Sequence, residues 1–305
     1  MGPIDFKAAK RSILRKLTSP SSLLEMRRRA KNQGVIRRVD DDPELKLYAG
    51  MLANELLHFG YFDDPVHSGE EISLAMIKAA QNRYSEQIVT RVQSRDGRVL
   101  DGGCGMGGLI KPLRAAGHDP VALTPNRTQI AYLKQNYPDL AVEFCKFEDL
   151  DTGRYAGAFD TIINSESLQY INLDGAFSVA DAVLAPGGRW VIGDFFRKSD
   201  STDTDSHFLH DFRDKTANGW RVAEEVDITA NVLPTLAFVH ALGSTALPIA
   251  DYVGDKMRRA TPGMHYLLEE VLEQAQEGLG EQLEVVRPAR FAANFSYWLF
   301  VLERA

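Results

Sequence analysis

Residues 98–108 read Arg98-Val-Leu-Asp101-Gly-Gly-Cys-Gly105-Met-Gly-Gly108. A short apolar run, Val99-Leu100, stops at one carboxylate and breaks into glycines at 102, 103, 105, 107 and 108. Such a stretch predicts a strand that turns sharply into a helix and brings bare backbone close to a ligand. Glycine permits this because it lacks Cβ and tolerates positive φ. An acid just before the turn suits a ligand that carries positive charge there. A dinucleotide fingerprint is the competing reading, since a pyrophosphate can sit on a helix N-terminus. That fingerprint expects an acid about 20 residues on, at the end of the second strand. Here the second strand ends in Thr124-Pro125-Asn126, with no carboxylate.

The rest of the pattern continues in order. Val121–Thr124 reads as a second strand, Asn126–Tyr137 as a helix, Ala141–Cys145 as a third strand and Phe159–Asn164 as a fourth. Leu184-Ala-Pro-Gly-Gly188 leads into a fifth strand that ends at Asp194. This series resembles the class I S-adenosylmethionine-dependent methyltransferases, whose first motif is hydrophobic-Leu-Asp-x-Gly-x-Gly-x-Gly and whose fifth strand follows an L-x-P-G-G turn. The motifs cover about residues 98–194. Gly219–Thr229 resembles the family's sixth strand, and Asn294–Glu303 its antiparallel seventh. The resemblance implies an α/β fold: a Rossmann-like seven-stranded sheet, an N-terminal helical cap and a helical insertion between strands six and seven. The corresponding division is a basic arm and cap over 1–92, a cofactor-binding core over 93–227 and 291–305, and an acceptor lid over 228–290. Strands alternating with helices agree with a mainly parallel, covered sheet.

Two local signatures narrow the branch. Leu123-Thr124-Pro-Asn-Arg-Thr-Gln129 resembles a segment of the cyclopropane-synthase, tocopherol and sterol methyltransferases. Glu166-Ser-Leu-Gln-Tyr170 resembles the E-S-L-x-H segment of natural-product methyltransferases, and His58-Phe-Gly-Tyr-Phe62 their H-x-G-Y-W box. The resemblance implies S-adenosyl-L-methionine as cofactor, held by Asp101, Gly102, Gly103 and Gly105, with Thr124 and Gln129 at the ribose or methionine. Phe147, Glu148 and Asp149 are assigned to adenine, and Asn164 and Ser165 to the cofactor channel. Where relatives carry His after Glu-Ser-Leu, this chain has Gln169 and Tyr170. The base is therefore sought among His58, Glu166, Tyr170, Asp194, His207 and His210. Asp194 is the leading choice, because a strand-end carboxylate after an apolar run is desolvated and more basic. Tyr170 and His58 are its expected helpers.

Composition bounds the remainder. The chain has 305 residues, 44% of them hydrophobic, enough for a buried core. No apolar stretch approaches the roughly 18 residues of a membrane span, and no apolar segment of secretory type follows the first basic residues. The two cysteines, Cys104 and Cys145, form no disulfide framework and point to a reducing, cytoplasmic setting. His207-x-x-His210-Asp211 reads as a solvated loop rather than a metal cluster, and no metal is expected. Residues 1–40 hold eleven Lys/Arg against Asp5, Glu25 and Asp40, a net of +8; the other residues then carry −7 − 8 = −15. The acidic body argues against a nucleic-acid substrate. The basic arm suits packing on its own domain or on a mate, or peripheral contact with an anionic membrane.

The expected function is methyl transfer to oxygen or carbon of a small, fairly apolar metabolite, of the kind met in natural-product biosynthesis. The alternative is a cyclase of the same fold that binds the cofactor without transferring its methyl. Helical spacing predicts helices over Glu44–Leu57, Gly69–Val92, Leu233–Leu247 and Tyr266–Leu279. The insertion's Phe238, Leu242, Leu247, Tyr252, Met257 and Met264 are candidates to line the acceptor side.

Overall fold

The computed structural model describes residues 55–65, 69, 71–92, 97–260 and 283–305. Within these, the elements in chain order are α1 (Leu74–Val89), β1 (Arg98–Gly102), α2 (Ile110–Ala115), β2 (Asp119–Leu123), α3 (Arg127–Asn136), β3 (Ala141–Glu143), β4 (Phe159–Ser165), α4 (Leu173–Val183), β5 (Leu184–Arg197), α5 (Leu209–Thr216), β6 (Trp220–Asp227), α6 (Thr229–Ala260), α7 (Pro288–Asn294) and β7 (Phe295–Arg304). One seven-stranded sheet has the order β3-β2-β1-β4-β5-β7-β6. β1 to β5 pair in parallel, and β7 runs antiparallel between β5 and β6. The chain reverses its direction of sheet growth between β1 and β4. Open α/β sheets bind ligands at such a switch point, beyond the carboxyl ends of the strands.

Alternate residues of each strand serve opposite faces, as the two-residue side-chain period demands. Leu100, Ile162, Trp190 and Ile192 face a core closed by Ala176, Val179, Ala180 and Val183 of α4. Val99, Ile163, Val191 and Leu299 face a second core closed by Tyr84 and Ile88 of α1 and by Val232 and Leu236 of α6. The sequence reading put both α1 and the start of α6 outside the sheet's layers, in a cap and a lid. Their apolar stripes instead cover the sheet, because its second face is as apolar as its first and needs cover of its own.

Other boundaries shift locally. Pairing between β4 and β5 jumps from Phe159↔Leu184 to Thr161↔Arg189, so the Pro186-Gly-Gly188 turn is a bulge inside β5 rather than a lead-in to it. Ser73 caps α1, its side chain accepting from Met76 N–H, so the helix starts after Gly69. Glu55–Leu57 are not helical. α6 runs past Leu247 and through Pro248 to Ala260, since an interior proline bends a helix without necessarily ending it. The segments expected to be helical over 1–54 and 266–279 lie outside the described residues, as does the basic arm. Among the described residues, no helix is long and apolar enough to cross a membrane.

Candidate active site

A cavity of about 920 Å³ opens at the switch point. Its floor is the end of β1 (Asp101, Gly102) with the glycine turn, and the ends of β2 (Thr124) and β4 (Ser165) flank it. The 3₁₀ turn Phe147–Asp149 contributes Phe147 and Glu148, and the turn Leu168–Tyr170 contributes Gln169 and Tyr170. The segment Glu55–His58 closes the remaining side. That segment is tied down from outside the cavity: Gln81 Nε2 donates to Leu56 O and His58 O, and Tyr61 N–H donates to Ala80 O, Gln81 and Ala80 both belonging to α1. Phe62 N–H and Gly60 N–H donate to Asn231 O and Thr235 Oγ1 of α6.

The glycine turn answers to two geometric demands. Gly103 has φ +112°, and a Cβ there would lie 2.3 Å from the Ser167 side chain. Gly105 has φ +56°, faces the cavity and has only Leu57 near its missing Cβ. A side chain at 103 would push back the loop after β4; one at 105 would fill ligand space.

Asp101 is the most informative group. It is 2% exposed, and its Oδ2 meets no hydrogen-bond donor among the described residues. Burial pushes its carboxyl up to about 7. A buried carboxylate oxygen without a partner is costly unless something positive is brought to it. The charged cavity-lining groups are Glu55, Asp101, Glu148 and Glu166 against the single cation Lys146. This donor and charge set fits a cationic ligand that carries an ammonium and a sulfonium. Thr124 donates to Gln129 Oε1 at 2.5 Å, so the two residues of the Leu123–Gln129 signature act as a pair on the cavity wall.

Two residues expected in the cofactor set stand behind the wall. Asn164 is fully buried; its Nδ2 donates to Gly102 O at 2.6 Å and its Oδ1 accepts from Trp190 Nε1 at 2.8 Å. It braces the β1 turn instead of lining the cavity, together with Ser167, whose hydroxyl also donates to Gly102 O. Asp149 closes its 3₁₀ turn by donating its N–H to Lys146 O and is not on the lining, whereas Phe147 and Glu148 are.

Of the two acids proposed for catalysis, Glu166 is the one that lines the cavity, and its carboxylate is held by two donors. It has φ +49°, rare for a residue with Cβ, and its N–H donates to Gly193 O. Its Oε1 accepts from Phe59 N–H and Tyr297 O–H, each at 2.8 Å. Burial pushes its pKa up to about 7, while those two donors pull it down. Tyr170 stands on the rim, 82% exposed. His58 lines the cavity, but both ring nitrogens are engaged, Nδ1 with Phe59 O and Nε2 with Ser85 Oγ. Burial lowers its pKa to about 4, so the ring is neutral near pH 7.

The structure does not bring Asp194 to the cavity. It is 0% exposed, and its oxygens accept from the backbone N–H groups of Gln169 and Phe195. The Leu168–Tyr170 turn folds over the end of β5 and takes this carboxylate for itself. His207 Nε2 lies 3.1 and 2.9 Å from Leu168 O and Ile171 O, bracing the same turn, and the half-exposed His210 is not on the lining. Phe238 packs with Phe62, Ile72, Ile77 and Ala80, and Leu242 and Tyr252 point to solvent, so none of these three lines the acceptor side. The side chains of Leu247 and Met257, and Met264 itself, lie outside the described residues.

Glu55 is a site residue that the sequence reading passed over. Its carboxylate accepts from Tyr132 O–H at 2.9 Å and Tyr137 O–H at 2.5 Å, and pairs with Lys111 at 3.2 Å. It ties the segment before His58 to α2 and α3. A spacing of five between two tyrosines carries no signal for a distant acid.

Residues 99–188 match a family model described as a methyltransferase domain. A ubiquinone biosynthesis O-methyltransferase of Bradyrhizobium sp. (strain ORS 278) is 28% identical over 134 residues, which are 42% of this chain and 52% of the relative. The chain thus spans about half the length of that curated relative. Two solved structures share the fold. One is the geranyl diphosphate C-methyltransferase from Streptomyces coelicolor A3(2), at TM-score 0.62 and 17% identity over 90% of this chain and 97% of the other. The other is the [4+2]-cyclase SpnF, at TM-score 0.60 and 16% identity over 85% and 94%.

Proposed function

From a chain whose residues 99–188 form a class I methyltransferase domain, we propose an S-adenosyl-L-methionine-dependent methyltransferase acting on oxygen or carbon of a small, fairly apolar metabolite. The observation that carries this reading is the buried Oδ2 of Asp101 beside the glycine turn, which has no partner among the described residues. When bound, the cofactor supplies an electrophilic methyl group on a positively charged sulfur. Asp101 accepts the ammonium end; Gly103 and Gly105 let the backbone approach; Thr124 and Gln129 hold the ribose or methionine; Phe147 and Glu148 take the adenine. Asn164 from behind and Ser167 from the lining keep the turn in shape through Gly102 O.

Glu166 is the base in this proposal. One oxygen is fixed by Phe59 and Tyr297, and the other is left to take the acceptor's proton. Tyr170 on the rim and the Glu55–His58 segment orient the acceptor and keep water out. The chemistry asks for position and desolvation. Cytoplasmic location belongs to the same proposal and rests on two unpaired thiols, Cys104 and Cys145.

Isothermal titration with S-adenosylmethionine and S-adenosylhomocysteine tests the cofactor site; micromolar binding is expected, and no heat with either on folded protein sinks the reading. A cyclase that keeps the cofactor unreacted is the second reading, favoured by the engaged ring nitrogens of His58 and by Gln169-Tyr170 in place of the relatives' His. Release of S-adenosylhomocysteine during turnover separates the two.

A further inference from the structure

Behind Glu166 lies a chain of hydroxyls, of which only the first, Tyr297, has so far entered the site. Tyr297 O–H reaches Glu166 Oε1 at 2.8 Å, and Tyr84 Oη lies 2.8 Å from Tyr297 Oη. Ser165 Oγ approaches Tyr84 Oη at 3.4 Å. Both tyrosines are 0% exposed, and their rings meet edge to face with centroids 6.1 Å apart. They come from opposite ends of the described chain, Tyr84 from α1 and Tyr297 from β7. Each hydroxyl has one proton to give. With the Tyr297 hydroxyl donating to Glu166, the 2.8 Å contact is made by Tyr84 donating to Tyr297, in competition with Gly193 O at 3.2 Å, and in that arrangement both tyrosine dipoles point their positive ends toward the carboxylate. Chains of this kind polarise one another in a low-dielectric interior.

Resting on the methyltransferase reading above, we infer that Tyr297, with Tyr84 behind it, is a positioning residue: the pair fixes one oxygen of Glu166 in its charged form and leaves the other for the acceptor's proton. Two features need such a device. The backbone at Glu166 is in the left-handed region, which a residue with Cβ holds only when its surroundings fix it. The carboxylate also sits among groups that do not favour its charge. Asp194 of β5 is a second buried acid, Asp101 of β1 a third across the cavity, and His58 is neutral. Among the charged and titratable groups packed around Glu166, the Tyr297 hydroxyl of β7 is the donor to it, with the Tyr84 hydroxyl of α1 behind Tyr297. Phe59 N–H supplies the remaining bond.

The test is a direct titration of Glu166, independent of any acceptor. The full-length chain is labelled with [δ-13C]glutamate and followed by NMR from pH 5 to 10, and the Glu166 signal is identified by its loss in Glu166→Gln. Tyr297→Phe keeps the ring and removes the donor. It should raise the Glu166 midpoint by about one pH unit, the worth of a hydrogen bond to a charged group. Tyr84→Phe should raise it by less, in the same direction. Packing loss alone would not move this midpoint. A Tyr297→Phe midpoint equal to that of wild type overturns the proposal. Should Tyr297→Phe fail to fold, Tyr84→Phe decides: an upward shift supports the pair and an unchanged midpoint refutes it. Cofactor titration of the wild type, run alongside, fails separately if the methyltransferase reading is wrong.

Discussion

Asp101→Asn should move stability and cofactor affinity in opposite directions. In the unfolded chain this carboxyl titrates near 3.8; in the fold, burial pushes it up to about 7. Between those values the folded chain holds a proton that the unfolded chain has released. Stability therefore falls as pH rises through the window, and the full deficit is present above 7. A rise from 3.8 to about 7 corresponds to a deficit of about 4 kcal/mol. Asparagine removes the charge, and Oδ2 has no bond to lose. Its amide brings an unpaired buried donor, at a cost of about 1–3 kcal/mol. The ligand-free variant should thus be more stable than wild type by about 1–3 kcal/mol at pH 8, with the advantage gone by pH 5. Urea unfolding at the two pH values measures this. S-adenosylmethionine affinity should fall about 10- to 100-fold at pH 8, the worth of one charge-assisted bond. Wild-type affinity should weaken as pH drops below 7, because protonated Asp101 no longer attracts an ammonium, whereas the variant's affinity should stay flat. A variant that is less stable at pH 8 and binds as well as wild type would show that Asp101 only caps its turn.

Gly105→Val should abolish binding of S-adenosylmethionine in calorimetry while the chain stays folded by circular dichroism, since the added branch enters the cavity from a residue at φ +56°. Glu166→Gln should lower turnover at least about 100-fold with cofactor affinity nearly unchanged; equal rates would move the base elsewhere. The wild-type rate should climb with pH through about 7, as Glu166 loses its proton and becomes a base, which an initial-rate profile reads directly. Asp194→Asn, in contrast, should spare most turnover, because its carboxylate serves the Gln169 and Phe195 backbone; a loss as large as that of Glu166→Gln would restore it as the base. EDTA should leave the rate unaltered, and a strict Mg²⁺ requirement would point to an acceptor that binds through a metal.

What the sequence made legible was local. The β1 turn needs an acid followed by glycines within a few residues, and Thr124 and Gln129 meet across one helix N-terminus capped by Asn126. The seven strands and the antiparallel β7 followed from the resemblance, whose motifs are each short enough to read in one window, whereas the strand order comes from the structure. The layers were less legible. Tyr84 and Val232 belong to apolar stripes that read equally well as cap or as core, and what decides is the apolar second face of the sheet.

The base is the sharpest case of what local pattern leaves undecided. Asn164, Ser165 and Glu166 are consecutive at the end of β4, and Asp194 follows Gly193, the last residue of β5 paired with β4, in a strand that does not end at Asp194 as expected but runs on to Arg197 against β7. By strand period Asn164 turns to Trp190 on one face and Ser165 toward Tyr84 on the other. Continued extension would return Glu166 to the Asn164 side. Its positive φ breaks the period and turns the carboxylate to Phe59 and Tyr297, which lie 107 and 131 residues away along the chain, on either side. The same turn, carried on through Gln169, encloses Asp194. Two acids on neighbouring strands therefore exchange roles through one backbone angle. That angle is held by contacts to β5, to β7 and to the segment before α1, none of which the Glu-Ser-Leu motif contains.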